Sequence, residues 1–119
     1  KAKALQNDYS FVKSVFDLSQ LNQASGDVLV NLTDIGGSET DALFTKELIK
    51  NFKAVVDVTF ETENTNLIAL SKKLGLPIAT GWDMFTYQGQ VCLEGILKEK
   101  VDFNILKKHV VVGLSDVVV

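Results

Sequence analysis

Histidine and cysteine occur once each in this 119-residue chain, as His109 and Cys92. A single cysteine excludes an internal disulfide and a cysteine-rich zinc site, and a single histidine excludes any paired-histidine metal motif. The same count leads us to expect a reducing, cytoplasmic setting. A Ser-His-Asp arrangement would have to use His109, which stands in Lys107-Lys108-His109-Val110 with no nucleophile signature around it. Basic clusters are also scarce. Only Lys72-Lys73 and Lys107-Lys108 are adjacent and the net charge is -3, so the electrostatic footprint of a nucleic-acid binder is missing. No apolar run approaches the roughly 18 residues that a membrane span needs. The chain opens on a polar, helix-like stretch rather than a signal peptide. Repeats, low-complexity tracts, linkers and a Gly-x-Gly-x-x-Gly loop are all absent. Neither nucleic acid nor membrane is an expected partner.

What is present is ordinary for a soluble globular protein: 46% hydrophobic and 23% charged residues, enough for one small domain over 1–119. Residues 2–8 are strong helix formers. Residues 9–16, with Phe11, Val12, Val15 and Phe16, read as a short strand, and 17–24 as a short helix or turn. The run 27–33 is a nearly continuous apolar strand of the kind covered on both faces. A glycine-containing loop follows, then a helix over 41–51 with Leu43, Phe44, Leu48 and Ile49 on one side. A second buried-type strand spans 54–60. A helix over 65–74 stops at Gly75, and a third strand spans 76–80, with Pro77 near its start where a missing N–H matters least. Helices over 82–97 and 102–109 follow. The valine-rich end, 110–119, reads as β-prone, and its pairing with another chain's sheet edge is one expectation. Alternating strands and helices imply an α/β fold, a partial Rossmann-like parallel sheet with helices on both faces and helices at the C-terminal end.

In such sheets ligands sit beyond the carboxyl ends of the strands, which selects the loops 33–38, 60–64 and 80–83. Those loops carry Asn31-Leu32-Thr33-Asp34-Ile35-Gly36, then Asp57-Val58-Thr59-Phe60 followed by Thr65-Asn66-Leu67, then Gly81-Trp82-Asp83-Met84-Phe85-Thr86-Tyr87-Gln88-Gly89. In this order they resemble the Asn-Ala-Thr-Pro-x-Gly, tyrosine-ended strand plus Thr-Pro-Leu, and Gly-Leu-x-Met-Leu-x-x-Gln-Ala blocks of shikimate dehydrogenases, over roughly residues 1–97. The resemblance implies the C-terminal part of an NADP-binding domain. The substrate domain, the catalytic lysine and aspartate and the glycine-rich phosphate loop would then lie upstream, with no catalytic residue in this chain. It implies hydride transfer between the nicotinamide of NADP(H) and the ring carbonyl of 3-dehydroshikimate in aromatic amino-acid biosynthesis, a chemistry that the cofactor carries.

The same resemblance assigns residues. Gln88, an amide able to donate and accept, would bind the polyhydroxylated substrate together with Phe60. Gly81 would let the backbone approach the cofactor, or is an ordinary turn glycine. Met84 would pack on the nicotinamide or in the core, and Val58 reads as a core valine or as a nicotinamide neighbour. Asn31 and Thr33 would face the cofactor crevice while fixing their own loop. Lys1 would lie near the 2′-phosphate or stand as a solvated terminal lysine. Phe60 departs from the family's tyrosine and loses a hydroxyl that helps hold substrate. Trp82 replaces leucine and would reshape the pocket rim. Cys92 reads as a buried structural thiol. Asp57, in a buried strand, reads as a structural hydrogen-bonding group rather than a general base. Gly89 and Gly95 imply close helix packing.

Two other readings stand beside this one, a quinate-preferring relative and a non-catalytic α/β interaction module. Since the sheet has an open edge, partners are expected to be the N-terminal half of a dehydrogenase or a second copy of the chain.

Overall fold

In the computed structural model, residues 1–35 and 43–117 are described, for residues 114–117 the backbone alone. Three parallel strands, β1 (Val28–Asn31), β2 (Ala54–Asp57) and β3 (Ile78–Thr80), lie in the order β1-β2-β3. Helices α2 (Lys46–Ile49) and α3 (Asn66–Lys73) form the crossovers between them, α1 (Ala2–Asp8) leads, and α4 (Gly81–Leu97) and α5 (Phe103–Val117) follow. A 3-10 helix at Leu18–Gln23 packs beside α2. The expected α/β fold is present. The segment expected as a strand over 9–16 is not one: it is a turn followed by irregular chain with Phe11 74% exposed. Apolar content alone does not make a strand where no neighbouring strand offers ladder partners. Part of the helix expected over 41–51 falls outside the described residues, and its described portion is α2.

Strand alternation divides the sheet into two rows. Leu29, Val55 and Ile78 share one face with Asn31, Asp57 and Thr80. That face holds the core, where Val55 meets Phe44, Leu48, Ile49, Phe52, Leu67 and Ile68. The opposite row is more open, with Val28 and Val30 49% and 46% exposed and Ala54 and Val56 half-buried.

Helix starts are capped as the side chains dictate. The Thr65 hydroxyl accepts from the Ile68 N–H at the head of α3. Thr80 and Asp83 satisfy each other's backbone N–H groups at the head of α4. Helix α3 stops at Gly75, whose φ of 70° suits a residue without a side chain. The C-terminal end corrects the β-prone expectation, for α5 carries the valine run in helix through Val117. The first part of that helix packs on α4, and the valines continue it. Tyr87 and Phe103 stack at 4.2 Å, and Gln90 Nε2 donates to the Val101 carbonyl at 2.7 Å. The exposed-strand argument for an interaction module loses its basis. The close packing expected at Gly89 and Gly95 is not seen: a Cβ at Gly89 would meet Leu106 at an ordinary 3.8 Å, and at Gly95 it would meet nothing within 4 Å among the described residues. Cys92 is exposed, not buried, because its face of α4 points away from the rest of the chain.

Candidate functional site

The carboxyl ends of β1 and β2 open into a crevice of about 300 Å³, lined by Leu32, Thr33, Asp34, Val58, Thr59, Phe60 and Glu61. Beneath it lies a buried polar spine. Asn31 is 3% and Asp57 1% exposed. The Asn31 amide donates to the Ile35 carbonyl at 2.9 Å and to Asp57 Oδ1 at 3.2 Å. Its oxygen accepts from the Thr33 N–H at 3.1 Å and the Thr33 hydroxyl at 2.7 Å. Two donors and two lone pairs are all an amide offers, so Asn31 is fully engaged in shaping its loop and has no valence left for a ligand. Asp57 Oδ1 also accepts from the Thr59 N–H at 3.1 Å, and Oδ2 from the Thr65 hydroxyl at 2.6 Å. This is the structural role the sequence suggested, and it ties both loop walls to the head of α3.

The first turn of α4 supports the β2 wall. A side chain at Gly81 would stand 2.6 Å from the Thr59 carbonyl oxygen and 2.7 Å from that of Val58. Gly81 therefore lets helix and strand end meet, a requirement independent of any ligand. The buried Trp82 indole N–H donates to the Phe60 carbonyl at 3.1 Å. The Phe60 ring meets Phe85 edge-on at 6.0 Å.

A charged brace holds the same turn, and sequence reasoning missed it. Lys107 Nζ on α5 lies 2.6 Å from Asp83 Oδ1 and 3.1 Å from Glu63 Oε1. Burial pushes the Asp83 carboxyl up, but the hydrogen bonds from Lys107 and from the Thr80 backbone and hydroxyl outweigh it, and its pKa lies below the ordinary value. The Asp83 hydrogen bond, opposed by partial burial and helped by Glu63, raises Lys107 above its ordinary value. No sequence spacing links a lysine to a carboxylate 24 residues earlier; only the folding of α5 onto α4 does.

Of the expected site residues, Thr33, Val58 and Phe60 come together on the crevice. Asn31 lies beneath it and Gly81 behind it. Met84 and Gln88 are exposed on α4, one turn apart, outside the lining. Lys1 stands at the head of α1, exposed and likewise outside the lining. Thr59 was also missed. It is buried, lines the crevice, and its hydroxyl has no hydrogen-bond partner among the described residues. Its adjacency to Val58 at a strand end was the only signal available. The lining is chemically suited to a flat uncharged ring and sugar hydroxyls, through Leu32, Val58 and Phe60 on one hand and Thr33 on the other. The carboxylates of Asp34 and Glu61 oppose phosphates at its rim. The crevice thus fits an apolar ring with hydroxyls better than it fits a phosphate. Among the described residues no cluster of three metal-ligating side chains occurs, and no helix is long and apolar enough to cross a membrane.

No family model matches the chain. A curated relative, the shikimate dehydrogenase (NADP(+)) of Pyrococcus furiosus, is 26% identical over 90 residues, which cover 76% of this chain and 33% of the relative. A chorismate mutase/shikimate 5-dehydrogenase fusion protein from Clostridium acetobutylicum shares the fold with a TM-score of 0.68 at 21% identity, over 93% of this chain and 41% of that one. The shikimate 5-dehydrogenase of Thermus thermophilus, solved in complex with shikimate, gives 0.58 at 22% identity, over 84% and 37%. The chain spans about a third of the length of the curated relative it matches. By sequence and by its Rossmann-like α/β fold, the chain is similar to shikimate dehydrogenases over a part of their length consistent with the C-terminal half.

Proposed function

We propose that this chain is the C-terminal portion of an NADP-dependent dehydrogenase that interconverts 3-dehydroshikimate and shikimate. The crevice at the ends of β1 and β2 carries this reading, because its apolar walls and uncharged hydroxyl suit the nicotinamide end of NADP. When bound, the nicotinamide gives or takes the hydride. Val58 and Phe60 offer apolar surface to a ring, and Thr33 Oγ1, which donates to Asn31 Oδ1 and accepts from the Ile35 N–H, offers its remaining lone pair to a ligand hydroxyl. Met84 and Gln88 border the substrate side from α4, and Asn31 and Gly81 position the two walls. Lys1 would approach the 2′-phosphate only with the upstream phosphate loop in place. The proton for the carbonyl oxygen comes from the lysine and aspartate that the resemblance places upstream. The chain therefore binds without turning over. The sheet edge left open among the described residues and the row at Val28 and Val30 are where the rest of a dehydrogenase, or a second copy, packs. A cytoplasmic setting accords with this chemistry.

Calorimetric titration with NADPH and with shikimate, alongside absorbance assays for shikimate oxidation, tests the reading. Binding of both ligands without turnover is expected. Turnover by the isolated chain would overturn the assignment of the acid/base pair to other residues, and failure to bind either ligand would overturn the site. A second reading, preference for quinate, is favoured by Phe60, which presents a ring without a hydroxyl. Tighter binding of quinate than of shikimate would select it.

A further inference from the structure

Phe60 is the largest side chain on the crevice wall, and 41% of it is open. It follows β2 on a loop whose next residues are polar, yet it is held from behind. The Trp82 indole N–H grips its carbonyl at 3.1 Å and Phe85 meets its ring at 89°. Trp82 is only 7% exposed, and its own backbone is set by the close approach of Gly81 to the carbonyls of Val58 and Thr59. Three consecutive wall residues, Val58, Thr59 and Phe60, thus rest on one helical turn.

We infer that Trp82 is a positioning residue for ligand binding: its indole N–H holds the Phe60 backbone and thereby fixes the Phe60 ring as the apolar wall that a bound ring meets. The inference rests on the reading of the crevice as the NADP and shikimate site. It differs from a core role in the part of the side chain that it uses. A core role needs the area of the indole, most of which phenylalanine supplies. A positioning role needs the N–H, which phenylalanine lacks.

Trp82 is the chain's single tryptophan, so the nitrogen-15-labelled protein has one indole N–H signal. That signal is expected to exchange with solvent at least about tenfold more slowly than a free indole, given a hydrogen bond in a buried setting, and to shift when NADPH and shikimate are added. Trp82→Phe is expected to keep the circular dichroism spectrum while weakening shikimate binding about fivefold, the loss of one neutral hydrogen bond. In a Phe60→Ala background the same change should have no further effect. An indole N–H that exchanges freely overturns the inference without any variant being made. So does a Trp82→Phe loss that persists in full when Phe60 is alanine. A wild-type chain that binds neither ligand while its indole N–H stays protected overturns the dehydrogenase reading instead.

Discussion

Single residues in this chain are fixed more by backbone approach and valence than by residue type. Gly81 shows the first. A methyl group there would overlap two carbonyl oxygens of β2's end, and neither is the tip of a flexible side chain. Gly81→Ala should destabilise the fold by about 1–3 kcal/mol, the range of a forced overpacking, measured as a drop in the urea midpoint at unchanged slope. An unchanged midpoint would show that α4 sits farther from β2 than described. Asn31 shows the second. From sequence it reads as polar and facing a crevice, which suits contact with a ligand as well as loop fixing. Only the count of its four hydrogen bonds decides for the loop.

Among the elements, the last helix separates what the sequence shows from what it hides. Strands β1, β2 and β3 and helices α3 and α4 were legible, because continuous apolar runs and 3.6-residue faces alternate with stop signals such as Gly75. Helix α5 was legible only to His109. Val110, Val111 and Val112 favour strand locally, yet they continue a helix whose earlier residues, Phe103 to Lys107, pack on α4, a contact that no window of sequence contains. The site divides the same way. The wall positions Thr33, Val58 and Phe60 follow from strand ends, whereas Lys107 reaches the site only through tertiary structure. Its brace has a pH signature. Lys107 is raised above 10.5, so its contribution is complete below that pH and is lost as pH rises through the higher folded value. Asp83 is depressed below 3.8, so its contribution is complete above that pH and is lost as pH falls through the lower folded value. Thermal melts should be flat with respect to this pair in between. Lys107→Met should lower stability by about 1 kcal/mol at neutral pH, abolish the alkaline loss due to the pair and move the Asp83 acid limb to higher pH. Identical alkaline limbs in variant and wild type would remove the brace from the account.

At the scale of the whole molecule, the chain is looser than a self-contained domain of its length. Its radius of gyration is 16.6 Å, against about 13–14 Å for a compact 119-residue domain. Helix α1 has no buried residue, and Val91, Ile96 and Ile105 stand 69%, 76% and 63% exposed on α4 and α5. Apolar side chains of this kind serve association where they form a contiguous patch. The row at Val28 and Val30 adjoins a strand edge unpaired among the described residues, where a lysine would discourage pairing. Val30→Lys should therefore reduce self-association, read as a fall in weight-average mass on sedimentation at high concentration. An equal mass above the monomer's in both proteins would move the contact surface to α4 and α5, and a monomer mass in both would remove self-association from the account.

The Asn31–Asp57–Thr65 spine has a consequence for how the sheet finds its alignment. Asn31 and Asp57 are direct partners across β1 and β2. Valine-rich strands of four residues have little else to distinguish one alignment from the next. A slip by a single residue would turn Asn31 to the opposite face, bring Val30 or Leu32 against the Asp57 carboxylate, and strip that carboxylate of a donor at about 1–3 kcal/mol. The spine thus acts as a proofreading mark for strand pairing, and the crevice above it inherits its shape from a folding constraint.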